Sequence, residues 1–168
     1  MEPVKFGTDG WRAVIGDTYT FENVRRVSLA TAKTFKNHPN IKNGIVIGYD
    51  TRFLGKEFAH AAAEVFGSEG IKVMITDSFV TTPTVSLLSR DFNLAYGVMI
   101  TASHNPFKYN GFKLKDSYGG SMNPDELIKV EDELKNISTV EGYKNFVDLQ
   151  KSGIVKYFNG RQYYIDNL

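Results

Sequence analysis

The chain has 168 residues, 42% of them apolar, which is typical of a compact globular domain. A formal net charge of +1 gives no electrostatic case for binding nucleic acid or an anionic membrane, and the lack of cysteine excludes disulfides and thiolate metal sites. No apolar run reaches the roughly 20 residues that span a bilayer. We therefore expect a cytoplasmic protein with neither a nucleic-acid nor a membrane partner.

Apolar runs alternate with helical patterns along most of the chain. Residues 21–37 have helical spacing, and strands are predicted at 44–49, 71–76 and 96–101, each rich in apolar or β-branched residues. Helices are predicted at 56–68 and from Pro83 to Arg90, and a further helix is predicted to begin after the cap residue Asn123. A short extra strand is predicted at 111–115. The alternation favours an α/β layered fold with a largely parallel sheet.

Residues 141–168 show a mixed pattern of aromatic and charged residues. Residues 151–157 have the composition of a strand, and residues 161–168 resemble the first turns of a helix with nothing after it. We therefore expect the chain to be a piece of a longer protein.

Three polar loops come after the predicted strands, at Asp50–Arg52, Asp77–Thr82 and Ser103–Asn105. Ligands of open α/β sheets gather at the carboxyl ends of the strands, so these loops are expected to form a site. Ser103 has two interpretations: a turn or capping serine, or a nucleophile or phosphoryl carrier. A serine hydrolase is disfavoured because the Gly-x-Ser-x-Gly elbow is absent and only His38 and His60 remain to complete a triad.

A phosphoserine needs cations or amide donors around it, and Arg12, Lys113, Arg52 and Lys108 are candidates. Each also has a structural interpretation. Arg12 is suited to stacking on Trp11, Lys113 to lying solvated on a strand, and Asp50 to pairing with Arg52 or capping the helix near Gly55. The carboxylates of Asp9, Asp50 and Asp77 are dispersed, so a phosphoserine would supply only part of a magnesium site.

Three blocks, taken together, resemble the first domain of the α-D-phosphohexomutase superfamily of phosphoglucomutases and phosphomannomutases. They are Phe6–Arg12, Gly48–Arg52, and Thr101–Pro106 followed by Tyr109–Lys113, and they occur in the family's order. The resemblance implies a three-layer α/β/α sandwich with a mixed, largely parallel sheet. It also implies an intramolecular phosphotransferase that interconverts hexose 1-phosphate and hexose 6-phosphate, of glucose or mannose, through a bisphosphate intermediate.

By matching position, the resemblance implies that Ser103 is phosphorylated in the resting enzyme and contributes a ligand to Mg²⁺ through its phosphate. Lys113 would be the general acid or base, Arg12 would steady the transferring phosphoryl group, and His104 would contact the reacting hydroxyl or exchange a proton with it. Asp50, Arg52 and Asn105 would contact these residues and hold them in position without touching the substrate. Glucose 1,6-bisphosphate, or an equivalent, would be the activator.

The family's metal-binding, sugar-recognition and distal phosphate loops are not found in this sequence. We therefore interpret residues 1–140 as domain I and residues 141–168 as a linker and the beginning of domain II. The partners would be the hexose phosphate and the remaining domains, and the chain alone is expected to be inactive and to self-associate. The alternative is a non-catalytic α/β module that binds a sugar phosphate or a protein.

Overall fold

The computed structural model describes residues 3–8 and 10–168, so Asp9 lies outside the described residues. The strands of this part are β1 (Trp11–Val14), β2 (Ile45–Tyr49), β3 (Val73–Thr76), β4 (Tyr96–Ile100), β5 (Tyr109–Asp116) and β6 (Val155–Phe158). The α-helices are α1 (Phe21–Thr34), α2 (Gly55–Ser68), α3 (Thr82–Asp91), α4 (Pro124–Leu134), α5 (Phe146–Ser152) and α6 (Gly160–Asp166). A 3₁₀ turn covers Ile41–Asn43.

The strands form one six-stranded sheet in the order β1-β5-β4-β2-β3-β6. The strands β4, β2, β3 and β6 run parallel to one another, whereas β5 runs antiparallel to both β4 and β1. The sheet is therefore mixed and largely parallel, as the sequence predicted.

Helices cover both faces of the sheet. One core contains the inward side chains of α1, α2, α4 and α5, and the other contains those of α3 with partly buried residues of β6 and α6. Every residue of β2 and β4 is buried because both faces of these strands are covered. The predicted three-layer α/β/α fold is confirmed.

Two glycines let α3 lie close to the sheet. A Cβ on Gly48 of β2 or on Gly97 of β4 would lie 2.6 Å from a Val85 methyl group of α3. Val85 is fully buried between these strands. The fold therefore depends on the missing side chains at both positions.

Every predicted element is observed in its type and order, with differences at the ends, whereas β1 and α5 were not predicted. The first helix ends at Thr34 rather than at residue 37, and the predicted short strand extends over all of β5. In the last segment, α5 precedes β6, and β6 pairs with β3 in parallel. The assignment of residues 141–168 to a second domain stays a prediction. Within the described residues, no helix is long and apolar enough to cross a membrane.

Candidate active site

The loops at the ends of β2 and β4 meet at one edge of the sheet. The two strands are adjacent and parallel. Strand β3 pairs with one side of β2, and the next strand in the chain, β4, pairs with the other side, so the strand order reverses at β2. Such a switch point leaves a crevice outside the carboxyl ends of the strands. Residues 50–54 and 101–108 lie at this edge, which joins two of the three polar loops that the sequence singled out.

Ser103 occupies an exposed turn in an uncommon backbone conformation. Its φ is +55°, in the left-handed region that non-glycine residues adopt at a cost in free energy. Its N–H donates to Thr101 Oγ1 at 3.0 Å, and the N–H of Asn105 donates to the carbonyl of Ala102. Thr101 and Ala102 are buried, whereas the Ser103 side chain faces solvent. The turn therefore presents the serine hydroxyl outward from a fixed base.

Arg52 holds this turn through four backbone carbonyl groups. Its Nη1 donates to the carbonyls of Pro106 and Tyr109 at 2.9 and 3.0 Å. Its Nη2 donates to the carbonyls of Ser103 and Asn105 at 2.8 and 2.7 Å. The guanidinium has two N–H bonds on each terminal nitrogen, so all four are used. Arg52 therefore lies behind the serine turn as a clamp, and its terminal N–H groups are not directed at the serine hydroxyl.

Asp50 connects the clamp to the end of β4. Its Oδ1 accepts from the backbone N–H of Arg52 at 3.1 Å, and its Oδ2 accepts from the Thr101 hydroxyl at 2.5 Å. The Asp50 Oδ2 also lies 3.9 Å from Arg52 Nε. The pairing of Asp50 with Arg52 is thus present, whereas helix α2 has Leu54 at its N-cap without a side-chain bond.

Arg12 and Lys113 project from the same face of β1 and β5. Arg12 is opposite Gly111, and Lys113 is two residues farther along β5, where it is opposite Met99 of β4. Arg12 Nη1 donates to Asn105 Oδ1 at 2.8 Å, so it reaches the serine turn. Trp11, the neighbour of Arg12 in β1, is buried with its ring 4.6 Å from that of Tyr19, and successive side chains of a strand point to opposite faces of the sheet.

Gly111 makes room for this arrangement. A Cβ at this position would lie 2.4 Å from the Thr101 carbonyl and 3.0 Å from Arg12 Cγ. On the other side of β5, the Tyr19 hydroxyl donates to the Gly111 carbonyl at 2.7 Å. Burial, and then the charge of Asp50, raise the pKa of Tyr19, so this hydroxyl stays protonated as the donor.

The remaining candidates are more dispersed. His104 is exposed beside Ser103, and Lys108 lies with its Nζ 5.9 Å from the centre of the Tyr109 ring. Asp77 comes after β3 and lines a separate polar hollow with Arg161. Among the described residues, no three His, Asp or Glu side chains are grouped as metal ligands would be.

Thr101 and Gly111 have roles in the site that the sequence did not predict. Thr101 comes directly after a buried strand and stands two residues before Ser103, a spacing at which a threonine hydroxyl can accept the backbone N–H. That signal is present in the sequence. The need for glycine at residue 111 has no such signal, because it arises from strands that meet only in the fold.

Comparisons with known proteins agree on one family. The family model described as "Phosphoglucomutase/phosphomannomutase, alpha/beta/alpha domain I" matches residues 3–141. A phosphoglucomutase of Staphylococcus saprophyticus is 34% identical over 93% of this chain and 29% of that protein. The chain therefore spans less than a third of the length of this relative.

Solved structures show the same fold. A protein described as a phosphomannomutase, from Thermus thermophilus, matches with a TM-score of 0.75 and 36% identity over 79% of this chain and 30% of that one. A phosphoglucomutase/phosphomannomutase family protein of Burkholderia thailandensis matches with a TM-score of 0.73 at 20% identity, over 96% of this chain and 34% of that one. At that identity the second match supports the fold alone.

Proposed function

The chain belongs to the phosphoglucomutase/phosphomannomutase family as its α/β/α domain I, and we propose that it carries the serine through which such an enzyme moves a phosphoryl group. The reaction would interconvert hexose 1-phosphate and hexose 6-phosphate, of glucose or mannose, through a bisphosphate. Ser103 would be the carrier.

One observation supports this proposal most directly. Ser103 stands on an exposed turn at a strand switch point, with a left-handed backbone that the Arg52 clamp and the Thr101 hydroxyl hold. Uncommon backbone conformations that persist through surrounding contacts concentrate at functional sites. An ordinary turn serine does not need such support.

The chemistry requires little covalent work from the protein. The phosphorus–oxygen bond to Ser103 Oγ breaks while a new one forms to a sugar hydroxyl, whose proton passes to a base. In the second half of the cycle, the bisphosphate returns its other phosphoryl group to Ser103 Oγ. Catalysis of this kind depends mainly on positioning and on stabilising the charge of the transferring group.

We assign Lys113 as the group that exchanges this proton and Arg12 as the cation beside the transferring phosphoryl group. Arg12 is already bound to the side chain of Asn105 in the serine turn, which directs it to that region. His104 is exposed next to Ser103, where it would contact the reacting hydroxyl. Magnesium, when bound, would neutralise charge on the phosphoryl oxygens.

The fit of magnesium to this part of the protein is partial. Both carboxylate oxygens of Asp50 are engaged by Thr101 and Arg52, so the ligand that we assign here is the phosphate of Ser103. The other ligands, and the groups that orient the sugar, would come from the remaining domains. We accordingly expect this chain alone to convert no measurable glucose 1-phosphate to glucose 6-phosphate.

The test is peptide-mapped mass spectrometry of the chain before and after incubation with magnesium and glucose 1,6-bisphosphate. We expect one phosphoryl group, on Ser103. Ser103→Ala should abolish it, whereas Ser78→Ala, which changes a serine after the neighbouring strand β3, should not.

A phosphoryl group on another residue, with Ser103 unmodified, would contradict the proposal. If no phosphate is found, the experiment is repeated with the remaining domains of a related enzyme added. Continued absence would favour the non-catalytic module.

A further inference from the structure

We propose that Thr101 is a positioning residue, whose hydroxyl couples Asp50 to the backbone of Ser103 and so keeps the serine turn in the conformation used for phosphoryl transfer. This inference rests on the proposed function of Ser103. Thr101 would not touch the substrate and would act through Ser103.

The hydroxyl of Thr101 has a defined direction. The backbone N–H of Ser103 can only donate, so the Thr101 oxygen accepts there at 3.0 Å. The single hydroxyl proton is then donated to Asp50 Oδ2. The backbone of Thr101 is itself fixed, because its N–H donates to the Gly111 carbonyl at 3.0 Å and the residue is 5% exposed. These two hydrogen bonds, from the Ser103 N–H to Thr101 Oγ1 and from the Thr101 hydroxyl to Asp50 Oδ2, form a relay that is anchored to the sheet through Thr101.

The relay and the Arg52 clamp together occupy the backbone of Ser103. Its N–H is bonded to Thr101, and its carbonyl is bonded to Arg52. Asp50 joins the two, since its Oδ1 accepts from the backbone N–H of Arg52 and its Oδ2 from the Thr101 hydroxyl. The peptide groups of Ser103 are thereby held from behind, and the side chain points away from them.

Without the Thr101 hydroxyl, two groups would lose a partner at once. The Ser103 N–H would lose its acceptor, so its peptide group could rotate, and Asp50 Oδ2 would lose the hydroxyl that donates to it. A phosphoryl group on Ser103 carries close to two negative charges and attracts any free N–H. We expect the serine turn to relax out of the left-handed conformation. The phosphoryl group on Ser103 would then no longer be aligned with the sugar hydroxyl that attacks it.

Valine has almost the shape of threonine and lacks the hydroxyl, so Thr101→Val isolates the relay. Thr76→Val is a matched control, because Thr76 is fully buried at the end of the neighbouring strand β3 and its hydroxyl has no hydrogen-bond partner among the described residues. Thr101→Ser restores the hydroxyl. The first measurement is amide hydrogen exchange of the unphosphorylated chain.

We expect the Ser103 amide to exchange about tenfold faster or more in Thr101→Val, with the amides of β4 unchanged. Exchange at Ser103 should be unchanged in Thr76→Val and restored in Thr101→Ser. Unchanged exchange in Thr101→Val overturns the inference, whatever the phosphorylation result.

The second measurement is the rate of Ser103 phosphorylation by glucose 1,6-bisphosphate. In Thr101→Val, the rate at saturating bisphosphate should fall about tenfold or more, while the concentration giving half the maximal rate stays the same, because the defect is in alignment. Thr101→Ser should recover most of the rate. An equal loss in Thr76→Val would assign the effect to general destabilisation and overturn the inference.

The two measurements separate this inference from the proposed function. If the wild-type chain is never phosphorylated, even with the remaining domains supplied, the role of Ser103 as carrier fails, and with it the link between Thr101 and transfer. Faster exchange in Thr101→Val would then still establish that Thr101 holds the turn.

Discussion

Arg52 shows how one side chain supports the serine turn. Its side chain is 15% exposed, and its guanidinium bonds to four carbonyl oxygens that converge on it from residues 103–109. A planar fork with two donors on each terminal nitrogen matches this geometry, whereas a lysine ammonium has three donors at a single point. The positive charge also strengthens these hydrogen bonds.

Replacement of Arg52 by lysine should therefore destabilise the fold. We expect Arg52→Lys to lower the free energy of unfolding by about 1–3 kcal/mol, since carbonyl groups that the fork satisfied lose their donors. Urea unfolding monitored by circular dichroism gives this value. Arg161→Lys is the control, because Arg161 is exposed and its guanidinium lies 5.8 Å from the centre of the Phe79 ring. Equal losses in the two variants would contradict a clamp.

The sequence located the residues of the site better than their contacts. Ser103 and Arg12 are candidates from side-chain chemistry and Asn105 from the family resemblance, and the fold brings Arg12 to Asn105. The partners of Arg52 are backbone carbonyls, which every residue has, so the side chains in the sequence do not predict them. The same limit explains why the sequence offered Arg52 as a phosphate-binding cation.

At the scale of elements, α3 and the sheet meet through the glycines of β2 and β4. An added methyl group at Gly97 would approach Val85 Cγ1 at 2.6 Å and Val46 Cγ1 at 3.2 Å. Close packing resists such an addition, and the usual cost of overfilling a core is about 1–3 kcal/mol. The packing of α3 on β4 is therefore testable by a double-mutant cycle.

We expect Gly97→Ala to lower the unfolding free energy by about 1–3 kcal/mol, and Val85→Ala to lower it by leaving a cavity. The double variant should lose less than the sum, because the smaller residue 85 makes room for the new methyl group. Thermal or urea unfolding of the four proteins measures this coupling. Strict additivity would mean that the two positions do not compete for space.

Helix α2 contacts the last segment of the chain through His60. The His60 ring stacks on Phe146 of α5 with centroids 3.9 Å apart, and its Nε2 lies 3.2 Å from the Tyr157 hydroxyl of β6. Burial, and then the charge of Lys56, lower the pKa of His60, while Glu57 acts in the opposite direction. The neutral ring is therefore favoured in the folded protein.

This lowered pKa predicts a pH dependence. The unfolded chain binds the proton first as pH falls, so the stability contributed by neutral His60 is present above the usual pKa of 6.5 and is lost as pH falls through the folded-state pKa. Between about pH 7.5 and about pH 5, the unfolding free energy should fall more steeply in the wild type than in His60→Phe. Parallel pH profiles of the two proteins would show that the ring does not titrate differently on folding.

Element prediction succeeded where the pattern was strong and local. The strands β2, β3 and β4 are short apolar runs, and their positions and parallel pairing were predicted from the alternation with helices. The strand β1 was missed because it has only four residues, and its partner β5 lies almost 100 residues later. The helix α5 has only seven residues, too few to show a helical period.

At the scale of the whole molecule, the last segment completes the sheet. The strand β6 covers the outer edge of β3, and Phe158 with Tyr163 packs on the smaller core. Several apolar side chains of this segment stay exposed, among them Tyr157 at 44% and Ile165 at 51%. The expectation of self-association is compatible with this surface and stays a prediction.

The division of the chain at residue 140 can be tested by deleting residues 141–168. Three side chains of this segment are buried, namely Phe146, Leu149 and Val155 at 8%, 2% and 1% exposure, and burying each contributes about 1.5–3 kcal/mol. Their loss would also leave β3 as an open edge strand. We expect a chain of residues 1–140 to unfold with a free energy lower by at least about 3 kcal/mol, or to aggregate. A chain that lacks only Asn167 and Leu168, both exposed, is the control and should keep its stability. If residues 1–140 were as stable as the full chain, the last segment would be an appendage, and its place in the sheet would contribute nothing to folding.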